Sequence, residues 1–244
     1  MANAFLNYIL NLIYPVRCPF CTEIVIPKGE RVCTSCKEKL PYITEPRCKK
    51  CSKPISNDRE EYCSDCVRKN HHYSIGFAVW RYDETMKRSI ADFKYRSRKD
   101  NARFYVSEII RLYGDKIKAI SPDVIVPVPL HRSKYNERGY NQAQLLALPI
   151  GKELGIPVLP GLLLRKKKTL PQKNLSDKER VKNLTEAFGY NERLADKYKN
   201  KIKKVLLVDD IYTTGSTIEA CTHVLKSNGI LEVFFLVLCI GEGF

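Results

Sequence analysis

No apolar run in the 244-residue sequence approaches the roughly 18 residues that a membrane-spanning helix needs. The apolar opening stretch, MANAFLNYILNLIY, has no Lys or Arg ahead of it and no small-residue cleavage site, so it does not read as a secretory signal. Acidic residues are scarce: 27 Asp and Glu stand against 42 Lys and Arg, a formal charge of +15. A Walker phosphate loop is missing, since no Gly-x4-Gly-Lys-Ser/Thr frame occurs. Apolar residues are plentiful at 44%, which excludes a wholly disordered chain. At ~100–200 residues per domain, the length allows one large domain or one plus a small one. Asn3, Asn7 and Asn11 recur every fourth residue, which predicts an amphipathic helix over 1–14 docked on the body of the protein.

Cysteine falls at 18, 21, 33, 36, 48, 51, 63 and 66: four CxxC pairs whose first members lie 15 residues apart. The segment Cys18–Cys36 is therefore repeated as Cys48–Cys66. Nothing here directs secretion, and in a reducing compartment paired CxxC reads as metal rather than disulfide. Two intervening residues let one tight turn aim both thiolates at a single ion. Two such knuckles complete the closed tetrahedron of a structural Zn²⁺. A dithiol redox centre and an iron–sulfur cluster are the competing readings. Sequential pairing gives Cys18/Cys21/Cys33/Cys36 and Cys48/Cys51/Cys63/Cys66; interleaved pairing gives Cys18/Cys21/Cys48/Cys51 and Cys33/Cys36/Cys63/Cys66. The repeat favours the sequential set, in which each copy is a complete unit. His71 and His72 read as linker residues rather than ligands, and Cys221 and Cys239 as buried apolar filler.

Zinc changes the charge sum, because eight thiolates and two Zn²⁺ lower +15 to +11. Residues 1–70 hold 12 basic and 8 acidic side chains, an excess of four that the two sites would cancel. The positive field thus belongs to residues 71–244. It is densest at 87–103, 165–182 and 197–204. Tyr95, Phe104, Tyr105, Tyr135 and Tyr140 lie near these charges in sequence, which suits base stacking, although aromatics of amphipathic helices usually pack inward.

Beyond residue 72 short apolar runs alternate with helical stretches. Strands are expected at 75–81, 124–128, 204–208 and 232–238, and helices at 84–96, 101–117, 139–154, 177–184 and 216–227. That alternation argues a doubly wound, mainly parallel α/β sheet, whose ligands bind beyond the carboxyl ends of the strands. The stretch VLLVDDIYTTGST at 205–217 is the most informative. A buried strand leads to two carboxylates, Asp209 and Asp210. A turn of Thr213, Thr214, Gly215, Ser216 and Thr217 then opens a helix. Backbone N–H groups, hydroxyls and a glycine at a helix start form an anion cradle suited to phosphate.

This stretch resembles the phosphoribosyl pyrophosphate (PRPP) signature of type I phosphoribosyltransferases. VPVPLHRSKYNERGYNQAQLLA at 126–147 and TLPQKNLSDKERVKNLTEAF at 169–188 resemble the ComF family of competence-associated, phosphoribosyltransferase-like proteins. An apolar helix followed by cysteine knuckles fits that family as well, and the resemblance covers essentially the whole chain. It implies an amphipathic helix at 1–14, a double zinc-ribbon module at 15–70 and a phosphoribosyltransferase-like domain at 71–244. Asp209 and Asp210 would hold the ribose hydroxyls, and Thr213 to Thr217 the 5′-phosphate. Pro127, Val128, Pro129, Leu130, His131 and Arg132 would form the pyrophosphate loop. Arg138, Gly139, Asn141 and Gln142 match the family's RGxNQ block. Gln172, Leu175, Arg180 and Asn183 match its mobile-loop block, with Arg180 in a catalytic role, and Lys94 matches a basic hood position. The implied cofactors are two structural Zn²⁺, and Mg²⁺ with PRPP. The implied activity is phosphoribosyl transfer to a nitrogen acceptor, and the competing one is a non-catalytic competence factor. Single-stranded DNA and a competence helicase are the implied partners. The implied location is the cytoplasm, with membrane association through a DNA-uptake complex.

Overall fold

The computed structural model describes residues 15–27, 29–166, 185–198 and 201–241. The helices expected over 1–14 and 177–184 lie outside them. Four fully parallel strands form the main sheet: β1 (Gly76–Arg81), β2 (Val124–Pro127), β5 (Lys204–Tyr212) and β6 (Glu232–Ile240), in the order β1-β6-β5-β2. A two-stranded antiparallel ribbon, β3 (Leu163–Arg165) with β4 (Phe188–Tyr190), sits apart from it.

The strands form because both faces are covered, so their sequences are near-continuous apolar runs. Alternation then divides the core. Val205, Leu207, Val233, Phe235 and Val237 point to one face; Leu206, Val208, Phe234, Leu236 and Leu238 point to the other. The first face meets α8 (Ser216–Ser227), whose Ile218, Cys221 and Leu225 make an apolar stripe at helical spacing. The second meets α3 (Glu84–Tyr95), α4 (Asn101–Ile120) and α6 (Gln142–Leu154). Cys221 and Cys239 are fully buried in these cores, as expected of apolar filler.

Helix α6 follows β2 on one face, and α8 follows β5 on the opposite face. The chain therefore diverges at the carboxyl ends of two neighbouring strands, which is the topological switch point of an open α/β sheet. The helix expected over 139–154 is α6, which starts three residues later, at Gln142. Residues Arg132–Arg138 form a separate α5, stopped by Gly139 at φ +76°, and Asn141 then caps α6 by accepting from Ala143 N–H.

The cysteine segment repeats in space as it does in sequence. Arg17 bridges Ile24 and Arg47 bridges Pro54, each 30 residues on. Cys18 N–H donates to Glu23 O and Cys48 N–H to Lys53 O, both at 2.8 Å. Short helices α1 (Thr34–Lys37) and α2 (Ser64–Arg68) start directly after Cys33 and Cys63. The two copies dock on opposite faces: Cys18 belongs to the core beneath α4, and Cys48, Cys51 and Cys63 to the core beneath α8. Between them the Pro41–Ile43 stretch covers the open edge of β1, with Arg81 N–H on Pro41 O and Ile43 N–H on Val79 O. Among the described residues no helix is long and apolar enough to cross a membrane.

Candidate functional site

Strand β5 does not end before the carboxylates. It runs through them to Tyr212, with Asp209 opposite Val237 and Tyr212 opposite Ile240 of β6. A strand that continues points successive side chains to opposite faces, so the two acids meet different neighbours. Asp210 is 8% exposed and pairs with Lys94 Nζ of α3 at 2.8 Å. Burial alone would lower the Lys94 pKa, but the Asp210 charge outweighs it and the net shift is upward. Asp209 is half-buried and accepts from Asp210 N–H at 2.9 Å. Burial, reinforced by the Asp210 charge, raises its pKa to about 7; Lys94 and Arg165 offset this only in part.

The turn after β5 exposes Thr213 and Thr214, buries Gly215 and leaves Ser216 and Thr217 half-buried. Gly215 holds φ +79°, and a Cβ there would stand 2.2 Å from the Tyr212 hydroxyl. Glycine is required twice over, for the left-handed backbone and for the close approach. Thr214 and Ser216 hydroxyls meet at 2.9 Å. Glu219 N–H is the first helical donor to find an acceptor, on Gly215 O. The N–H groups of Thr213 to Thr217 bond to no other group among the described residues. Free donors at the positive end of a 12-residue helix attract an anion.

Neighbouring elements converge on this turn. Val128 N–H donates to Val208 O, which brings the Pro127–Arg132 segment alongside β5. Val128 and Pro129 are buried, Leu130 and His131 are half-buried and Arg132 is exposed. Asn141 Nδ2 donates to Val128 O at 3.0 Å. Arg138 donates to Gln142 Oε1 and to the Tyr95 hydroxyl, both at 3.0 Å, with its guanidinium 4.8 Å from the Tyr95 ring centroid. Arg138 Nε and Gln142 Nε2 are buried donors with no acceptor among the described residues. Gln172, Leu175, Arg180 and Asn183 lie outside those residues. A cavity of about 270 Å³, lined by Tyr190, Ile202, Lys203 and Gly229, lies by the amino end of β5, and none of the site groups above lines it.

Three site neighbours carried no signal in the sequence. Tyr212 underlies Gly215, Tyr73 meets the Tyr212 hydroxyl at 2.9 Å, and Glu219 receives His72 N–H and faces His71 Nδ1. Of the five aromatics near the charges, Phe104, Tyr105 and Tyr140 pack inward, while Tyr95 and Tyr135 are 61% and 49% exposed.

The eight cysteines gather sequentially, as Cys18/Cys21/Cys33/Cys36 and Cys48/Cys51/Cys63/Cys66, with no interleaving. Sulfur–sulfur distances of 3.6 Å (Cys21–Cys33), 3.7 Å (Cys18–Cys33) and 3.6 Å (Cys51–Cys63) are far too long for a disulfide. They match the ~3.8 Å edge of a tetrahedron with Zn–S bonds of about 2.3 Å. The donor sets therefore fit structural zinc.

Residues 9–67 match the double zinc ribbon domain family. Over 224 residues the chain is 29% identical to Competence protein F of Haemophilus influenzae, covering 89% of this chain and 93% of that protein. It is 28% identical over 216 residues to Competence protein ComFC of Bacillus subtilis, covering 84% and 82%. It is 26% identical over 213 residues to the DNA utilization protein YhgH of Escherichia coli, covering 85% and 89%. Among solved structures, a purine phosphoribosyltransferase from Pyrococcus horikoshii aligns with 57% of this chain and 84% of its own, at 17% identity and a TM-score of 0.34. At that score the likeness carries no argument, and the fold stands on the strand order above.

Proposed function

Because the chain is a member of the ComF family of competence proteins, we propose that it binds PRPP and transfers the phosphoribosyl group to a nitrogen acceptor. One observation carries this reading. The N–H groups of Thr213–Thr217, which bond to no other group among the described residues, open α8 directly beside the Asp209–Asp210 pair, at the carboxyl edge of a parallel sheet. The turn takes the 5′-phosphate, and the two carboxylates accept the ribose 2′- and 3′-hydroxyls. Lys94, now paired with Asp210, shares or yields that carboxylate when the ribose arrives. The Pro127–Arg132 segment and Lys94 face the pyrophosphate. The acceptor nitrogen forms a bond to C1 as the C1–O bond to pyrophosphate breaks, and the electron pair leaves with pyrophosphate. Cations around the leaving group stabilise that growing charge. Arg180 and Gln172 complete the lid in this scheme, and Mg²⁺ arrives with the substrate as its pyrophosphate complex.

A second reading is a competence factor that binds single-stranded DNA or a helicase without transfer. The exposed Tyr95 and Tyr135, with the Arg138 guanidinium over Tyr95, favour it. Calorimetry with Mg-PRPP separates the two. The parent should bind, and Asp209→Asn with Asp210→Asn should weaken binding at least tenfold, about 1.4 kcal/mol. Release of radiolabelled pyrophosphate across a panel of bases and amines then tests transfer. Unchanged PRPP affinity in the double variant removes the enzyme reading.

A further inference from the structure

The second cysteine cluster is joined to the anion turn by two independent routes. The first is a hydroxyl pair. Tyr73 Oη stands 3.9 Å from Cys66 Sγ and 2.9 Å from Tyr212 Oη. A metal-bound thiolate is an acceptor only. With metal bound there, the Tyr73 hydroxyl would donate to sulfur and accept from Tyr212. The Tyr212 hydroxyl lies against Gly215, at the start of α8. The rings are fixed as well: Tyr212 stacks on Phe235 at 5.0 Å and 12°, and Tyr73 meets Phe235 edge-on at 4.8 Å. The second route is the linker. His72 N–H donates to both oxygens of Glu219, and His71 Nδ1 and His72 Nδ1 face the same carboxylate. Glu219 belongs to the first turn of α8, so the residues that follow Cys66 are clamped to the helix that presents the cradle.

Among the described residues the first cluster has no such connection. Its Cys18 packs beneath α4, on the other face of the sheet. Two copies of one repeat are thus unequal in position, and only the second abuts the turn. We propose that Tyr73 and Glu219 are positioning residues through which the second four-thiolate site holds the Thr213–Thr217 turn in its anion-binding form. The proposal rests on the anion-binding reading of that turn. It makes metal and ligand binding linked quantities: if metal at the second site raises anion affinity, the anion raises metal affinity by the same factor.

The test uses the full zinc-loaded protein. Equilibrium competition with a chelator is followed by metal count, with no ligand, with ribose 5-phosphate and with Mg-PRPP. Calorimetry reports binding of the same two probes separately. In the parent, ligand should tighten retention of one zinc and not the other. Tyr73→Phe, which deletes one oxygen, should keep two zinc ions and the parent's thermal unfolding. It should nonetheless lose that linkage and weaken both probes by about tenfold. Glu219→Gln is the second variant, for the case in which Tyr73→Phe does not fold. Binding of PRPP with no effect on zinc retention overturns the coupling and leaves the proposed function intact. Binding of ribose 5-phosphate but not PRPP overturns the PRPP reading, while the coupling is still decided with the smaller probe. Binding of neither overturns both.

Discussion

Asp209 carries a proton into the neutral range that an ordinary aspartate would have lost. Burial and the adjacent Asp210 charge set its pKa at about 7, against about 4 in an unfolded chain. Between those values the folded state binds the extra proton, so its stability falls as pH rises. The contribution is complete below about pH 4 and is lost through about pH 7. Asp209→Asn removes the penalty and should be more stable than the parent at pH 8, by at most about 4 kcal/mol for a pKa raised from about 4 to about 7, with no advantage at pH 4. Ligand affinity should run the other way, since the ionised carboxylate is the better acceptor for a ribose hydroxyl. PRPP binding by the parent should strengthen between pH 6 and 8 more than binding by Asp209→Asn; the phosphates' own titration is common to both proteins. Chemical denaturation and calorimetry across that range check both signs. Equal pH slopes in the two proteins would show that Asp209 is ionised throughout.

At the scale of elements the two cysteine units should part under stress. Cys21 is exposed and Cys33 and Cys36 are half-buried, whereas Cys48, Cys51 and Cys63 are at most 5% exposed. Metal binding supplies folding free energy to such modules, and access governs how a chelator removes it. Zinc should leave in two phases, the first from Cys18/Cys21/Cys33/Cys36, with loss of structure confined to that copy. A single phase for two ions would contradict this. The same elements show what a sequence discloses. The CxxC period and the 216–227 helix were legible because local chemistry decides them. The strands at 75–81 and 232–238 were legible because doubly covered strands are continuously apolar. The extension of β5 through Asp209–Tyr212 was not, because only pairing with β6 makes two acids part of a strand. The ribbon Leu163–Arg165 with Phe188–Tyr190 joins segments 22 residues apart, with no local pattern to announce it. Within the site, the acidic pair and the turn could be read directly. Tyr73 and Glu219 could not, since their partners lie 139 and about 148 residues away.

For the whole molecule, the question is which part of the positive field a polyphosphate would meet. The basic tracts at 87–103 and 201–204 do not form one surface. Residues 87–103 surround the carboxyl end of α3, beside Tyr95, Arg138 and the candidate site; all seven of their cations except Lys94 are exposed. Lys201, Lys203 and Lys204 stand at the start of β5, whose nine residues place them about 30 Å from its far end. The tract at 165–182 lies outside the described residues beyond Lys166. Within 87–103, Lys87, Arg96 and Arg103 are paired with Glu84, Asp92 and Asp100, while the Lys99 ammonium sits 4.7 Å from the Tyr140 ring. A single strand docked at the site mouth should therefore engage three or four cations and stack on Tyr95. Its affinity should fall with salt at a log–log slope of about −2 to −3, from roughly −0.7 per phosphate contact. Replacing Arg98 and Lys99 by Gln should lower that slope by about one, whereas Lys201→Gln with Lys203→Gln should leave it unchanged. PRPP should compete, because both ligands need the same edge of the sheet. Fluorescence anisotropy with a labelled oligonucleotide at several salt concentrations measures all three effects. If the lysines at 201 and 203 control the slope instead, nucleic acid binds at the opposite edge of the sheet and the PRPP site is independent of it.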